Sequence, residues 1–134
     1  LMDTALKNQM RANPQQAIAQ YLEALKLNPS DARLHYNLGV AYHTLGQTEK
    51  AIQAYRQSVR LDGSRVEAMF NLGQLLVNRG VSFAQQSNVS NARQDFQEAV
   101  RLFEGVRQLP NAPKEVTQHL DVARKNLAIA MQAS

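Results

Sequence analysis

The chain has no cysteine and no tryptophan in 134 residues, and only eight aromatic rings, four Tyr and four Phe. The missing cysteine excludes disulfides, thiolate metal sites and a thiol nucleophile, and leaves the redox compartment open. With so few rings, a core must be built largely from Ala, Leu and Val, which suits closely packed helices better than a sheet. Six glycines and four prolines fall mostly at segment ends, where they punctuate helices. No apolar run approaches the roughly 20 residues that span a bilayer, so membrane insertion is not expected. No basic-then-apolar leader is visible. The chain opens at Leu1 inside a helical pattern, as an excised piece of a longer protein would, and its localisation stays unknown. The net charge is +4, but the basic residues are scattered without an arm or stripe, so a solvated helical surface is expected rather than nucleic-acid binding.

What is present is a repeat. Asn37-Leu38-Gly39 returns as Asn71-Leu72-Gly73, 34 residues later, and Ala17, Tyr21 and Ala24 return at the same step as Ala51, Tyr55 and Ser58. A period of about 34 marks helix–turn–helix units. In the unit starting at Ala32, Leu38, Gly39 and Tyr42 fall on one face of a first helix. A turn follows at Leu45-Gly46-Gln47, and a second helix carries Ala51, Ile52, Tyr55, Ser58, Val59 and Leu61 before Gly63. One unit earlier, Pro29 stops the second helix because it lacks an N–H and clashes with the preceding turn. Small residues pair at matched sites, Ala5 with Ala17, Gly39 with Ala51 and Gly73 with Ala92. The expectation is that helices approach closely there while Tyr21, Tyr55 and Phe96 fill wider gaps between units. A helix-interior Gly costs about 1 kcal/mol relative to Ala, a cost that packing is expected to offset.

These residues resemble the tetratricopeptide repeat family. The middle unit carries the resemblance through Asn37-Leu38-Gly39, Tyr42, Gly46, Ala51, Tyr55 and Leu61-Asp62. The third unit carries it through Asn71-Leu72-Gly73, Ala92, Phe96, Ala99 and Leu102. The family's aromatic at the fourth position is replaced by Leu1, His35 and Met69, and its proline after the second helix is kept only as Pro29. The resemblance implies an all-α fold, a right-handed superhelical array of antiparallel helix pairs. A single domain over 1–134 is expected, with units at about 1–31, 32–65 and 66–109. The third unit is elongated. Gly73 to Ala92 spans seven more residues than Gly39 to Ala51, about two helical turns, read as one extra turn on each helix with a loop near Ser87-Asn88. After a break from Pro110 to Pro113, Val116, Leu120, Ala123, Leu127 and Ala130 define one amphipathic helix within 113–133. It is either a cap with a polar outer face or part of a fourth unit.

No enzymatic motif is present, and neither a cofactor nor a metal site is expected. His35 and His43 lie about 80° apart around one helix and nothing completes a ligand set. Gly39 and Gly73 do not have phosphate-loop spacing. Asp95 and Glu98 are expected to form surface pairs with nearby Arg residues.

By resemblance, function sits in the concave groove lined by the first helix of each unit. In register, that face carries Arg33, Tyr36, Asn37, Val40 and His43, then Phe70, Asn71, Gln74, Val77 and Asn78. Tyr36 and Phe70, one period apart, are expected to stack as neighbours. They are candidate anchors for a ligand, unless they pack on each other or on a terminal helix of the chain. A branch of the family clamps chaperone C-terminal carboxylates. Here Met2, Leu6, Glu67 and Asn71 depart from that clamp and only Asn37 fits, so that activity is not expected. The leading expectation is a module that binds a peptide or helix of a partner protein, in a scaffold or assembly role. The alternative is a self-associating structural repeat domain, a homo-oligomer, within a larger protein.

Overall fold

The structure, a computed structural model, describes residues 13–133. The expected pairing of Ala5 with Ala17, and with it the first helix of the first unit, lies outside the described residues. Among those described there are six α-helices and no strand: α1 (Pro14–Leu27), α2 (Ala32–Thr44), α3 (Thr48–Leu61), α4 (Val66–Gln85), α5 (Val89–Arg107) and α6 (Val116–Gln132). They belong to two compact units, with the boundary between Arg65 and Val66.

In the first unit the starts of α1 and α2 and the end of α2 rest on local signals. The Asn13 side chain accepts the Gln16 amide at the start of α1, with Pro14 in the first turn, where its missing N–H costs nothing. Asp31 caps α2 by accepting the amides of Arg33 and Leu34. The end of α2 is a Schellman turn. Gly46 takes φ of 75°, its amide donates to the His43 carbonyl at 2.9 Å, and the Gln47 amide donates to Tyr42 at 2.9 Å. The core of this unit joins Ala17 and Tyr21 of α1 to Leu38 and Ala41 of α2 and Ala54 of α3. Ser58, fully buried, donates its hydroxyl to the Ala32 carbonyl at 2.8 Å and ties α3 to the first turn of α2.

The close approach in this hairpin is not between small residues. A Cβ on Gly39 would stand 2.7 Å from two ring carbons of Tyr55. The ring lies flat over the gap that the glycine leaves, inside the hairpin rather than between units. In an antiparallel pair the residue opposite Gly39 is set by distance from the turn, and Tyr55 is as far past Gln47 as Gly39 is before it.

The second unit repeats this device twice. A Cβ on Gly73 would meet Phe103 at 2.7 Å, and one on Gly80 would meet Phe96 at 2.6 Å. The partner of Gly73 is therefore Phe103, seven residues beyond the Phe96 on which Gly80 sits. α4 has 20 residues and α5 has 19, against 13 and 14 in α2 and α3. The extension is about two turns on the first helix and somewhat less on the second, longer than one turn on each. The reason is the antiparallel pairing, since residues added to one helix must find facing residues on the other. The hairpin turns at Gln86–Asn88 with the same Schellman hydrogen bonds, Ser87 to Ala84 at 3.0 Å and Asn88 to Phe83 at 2.8 Å. Here a serine, Ser87, occupies the left-handed position with φ of 62°. α6 packs on this hairpin through Val116, Leu120, Ala123 and Ala130, all buried.

Candidate protein-binding surface

Arg33, Tyr36, Asn37, Val40 and His43 form one stripe along α2. Arg33 and His43 are exposed and the middle three are half-buried. Tyr36 is held from two sides: its ring centroid is 5.8 Å from that of Tyr55, and the Arg65 guanidinium lies 5.6 Å above its ring. The stacked guanidinium leaves the ring flat and pre-oriented, which lowers the entropy a ligand contact would cost.

The matching stripe on α4 has a different environment. Phe70 packs edge-on against Phe103 at 5.7 Å and against His119 of α6 at 4.7 Å. Gln74 is also engaged by His119. The Glu115 carbonyl, 2.9 Å from Nδ1, can only accept, so Nδ1 carries the proton. Nε2 then accepts from the Gln74 carboxamide at 3.0 Å. Val77 packs on the cluster of Ala92, Phe96 and Ala130. Asn71 is half-buried and Asn78 is exposed. In this unit a terminal helix therefore contacts both the aromatic and the carboxamide of the stripe.

Two features were not read from the sequence. Asp95 is buried, 4% exposed, and its two oxygens accept from Nε and Nη2 of Arg79, each at 2.8 Å. This is a bidentate ion pair between α4 and α5, not an i,i+3 surface pair, and it corrects the expectation for Asp95. The signal was available, because Asp95 lies three residues after Ala92 and four before Ala99 on the core-facing stripe. The other feature is His119, which links α6 to α4 through its hydrogen bond with Gln74.

Among the described residues no cluster of three or more His, Cys, Asp or Glu could hold a metal ion, and no helix is long and apolar enough to cross a membrane.

Comparison with known proteins agrees with this architecture. The profile described as Tetratricopeptide repeat matches residues 32–64, and one described as TPR repeat matches residues 15–46. The chain is 30% identical over 116 residues to Photosystem I assembly protein Ycf3 of Acaryochloris marina, covering 84% of this chain and 70% of that protein. The chain belongs to the tetratricopeptide repeat family. Two solved tetratricopeptide-like structures share its fold. The TPR2B domain of yeast Sti1, in its pHsp70 complex, superposes with a TM-score of 0.63 at 19% identity, covering 90% of each chain. The Yersinia enterocolitica type III secretion chaperone SycD, in complex with a peptide of the translocator YopD, superposes with a TM-score of 0.58 at 18% identity, covering 96% of this chain and 88% of that one. Tetratricopeptide units of this kind are protein-interaction modules, and the fold and relatives of this chain are of that class.

Proposed function

We propose that this chain is a protein-binding module with an assembly role, in which the stripe of α2 and the stripe of α4, each within its own unit, offer contacts to a peptide or helix of a partner protein. The observation that carries this reading is the recurrence at one period of an aromatic followed by an asparagine, Tyr36-Asn37 and Phe70-Asn71, on the first helix of each hairpin. Tyr36 and Phe70 supply apolar contact, and Asn37, Asn71 and Asn78 supply groups that bond a ligand backbone. Such bonds matter because a buried, unpaired polar group costs about 1–3 kcal/mol. The relative named as an assembly protein and the neighbours solved in complexes support the reading, and the specific partner follows from neither. In the second unit a ligand at Phe70 and Gln74 has to accommodate His119 or displace it.

The test compares the wild type with Asn37→Ala/Asn71→Ala as baits against lysate, with quantitative mass spectrometry. Each side chain lies on the stripe of its own unit and neither forms the aromatic core, so the variant is expected to fold. Partners depleted by tenfold or more on the variant support the reading, and equal recovery on both baits overturns it.

A second reading is self-association through α6. Val122 and Ile129, seven residues apart on one face of α6, are each half exposed or more, an apolar pair of the kind that finds partners in repeat proteins. Light scattering that stays at the monomer mass up to millimolar concentration would exclude it.

A further inference from the structure

The first unit carries a second groove, on the side of α2 opposite the stripe. His35, Leu38 and Tyr42 succeed one another along α2 at three- and four-residue steps, about 180° around the helix from Arg33, Asn37 and Val40. Between this face and α3 lies an open groove of about 530 Å³. Its floor is apolar: Leu38 and Ala54 are 6% and 5% exposed, and the Tyr42 ring forms one wall. Its rim is basic. Lys50 and Arg60 stand at the two ends of α3, Arg56 also lines the groove, and among the described residues none of the side chains lining it is acidic. Lys50 holds its ammonium 5.7 Å from the centroid of the Tyr42 ring. His35 is fixed by a 2.9 Å bond between Nε2 and the Pro29 carbonyl, so Nδ1 is left as an acceptor.

We propose that this groove binds an extended acidic segment of a partner protein, with one apolar residue seated on Leu38 and Ala54 between two carboxylates. The spacing sets the register. Lys50 and Arg60 are ten residues apart on one helix, about 15 Å, which an extended chain at about 3.3 Å per residue spans in four to five residues. Between them Gln53 and Gln57, both exposed, present carboxamides one helical turn apart, about 6 Å. That is close to the two-residue repeat of an extended peptide, about 6.6 Å, so the two side chains can bond successive backbone groups on one edge of the ligand. Charge complementarity selects an acidic ligand. The apolar floor selects a peptide over a nucleic acid, whose phosphates need a continuous basic track. This site is independent of the stripes on α2 and on α4 and stands or falls separately from them.

The experiment is fluorescence anisotropy with a labelled nonapeptide in which Asp and Glu, four residues apart, flank a central Leu. Wild-type protein is expected to bind it saturably. Binding should weaken at least tenfold when the peptide acids become Asn and Gln, when the Leu becomes Ser, or when the protein carries Lys50→Glu/Arg60→Glu. A peptide with Lys and Arg in place of the acids should bind the reversed protein better than the wild type. Asn37→Ala/Asn71→Ala should leave this binding unchanged. Both reversed residues are exposed, and Lys50→Gln/Arg60→Gln provides a milder variant with the same expected direction. The proposal is overturned if wild type does not bind the acidic peptide, if reversal leaves its affinity unchanged, or if labelled oligothymidine binds the same residues more tightly than the peptide does.

Discussion

At the scale of single residues, this protein uses glycine in two ways that ask for opposite substitutions. Gly80 is a place for a ring. Its missing Cβ is what lets Phe96, nearly fully buried, lie against α4. Gly80→Ala gains up to about 1 kcal/mol of helix propensity but forces the Phe96 ring out of its seat, and overpacking of this kind costs about 1–3 kcal/mol. The expected result is net destabilisation of about 1 kcal/mol in urea unfolding, with Gly80→Ala/Phe96→Leu recovering most of it. Gly46 is a place for a backbone angle, with nothing within 4 Å of a Cβ built there, so the cost of Gly46→Ala is conformational alone. Ser87 occupies the equivalent turn with φ of 62°, which costs an L-residue about 1–2 kcal/mol. Ser87→Gly is therefore expected to raise stability by about 0.5–1 kcal/mol, measured as a shift in denaturation midpoint without a change in slope. Asp62, just past α3, accepts from the Ser64 hydroxyl at 2.7 Å and the Ser64 amide at 3.0 Å. These bonds, with the Arg65 charge nearby, hold its carboxyl below the usual aspartate range. A depressed carboxylate adds stability that is present above the unfolded-state value, about 3.9, and is lost as pH falls through the folded one. Asp62→Asn should flatten the acid limb of a stability-against-pH curve below about pH 4, and an identical limb in both proteins would count against the assignment.

At the scale of elements, the long hairpin of α4 and α5 is where this chain departs most from a regular unit. Its two glycine–ring seats are one heptad apart on each helix, and next to the Gly80–Phe96 seat Arg79 and Asp95 face each other. A bidentate pair with the carboxylate 4% exposed fixes the register of α5 on α4, because a slip of either helix would leave a charge buried without its partner. The Arg79 guanidinium also lies 5.5 Å over the Phe83 ring. Arg79→Met strands the Asp95 charge and is expected to cost about 3 kcal/mol. The double variant Arg79→Met/Asp95→Leu is expected to recover at least half of that, since a well-packed apolar pair replaces a desolvated ionic one. A double variant no more stable than Arg79→Met would show that the pair is not what holds the register.

At the scale of the molecule, α6 is part of the second unit rather than an appendage. Val116, Leu120, Ala123 and Ala130 are buried and His119 touches both Phe70 and Phe103. Each large apolar side chain so buried contributes about 1.5–3 kcal/mol. A chain ending at Pro113 is expected to bind a hydrophobic dye and to melt more than about 10 °C below the full chain, since about 1 kcal/mol moves the midpoint by several degrees at this size. An unchanged melting curve would assign α6 a different role.

The repeat, the helices and the turns between them were legible in the residues. The stop at Pro29 and the turns at Gly46 and Ser87-Asn88 act within one or two helical turns, so their physics is written in neighbouring residues; the caps at Asn13 and Asp31 are equally local and were not read. The all-α array and the candidate stripes on α2 and on α4 were what the family resemblance carried by the 34-residue period implied. What the tertiary structure alone decided was which residue faces which. Tyr55 over Gly39, Phe103 over Gly73, Arg79 on Asp95 at a separation of 16, and Gln74 on His119 at a separation of 45 depend on how far each side chain stands from its own turn and on how the last helix lies. Antiparallel pairing sends partners apart in opposite directions along the chain, so a small error in placing a turn, or in dividing an insertion between two helices, moves every contact. The basic groove on the far side of α2 was hidden for the same reason. Its floor is shared by Leu38 of α2 and Ala54 of α3 while its charges stand on α3, and only packing brings the two helices together.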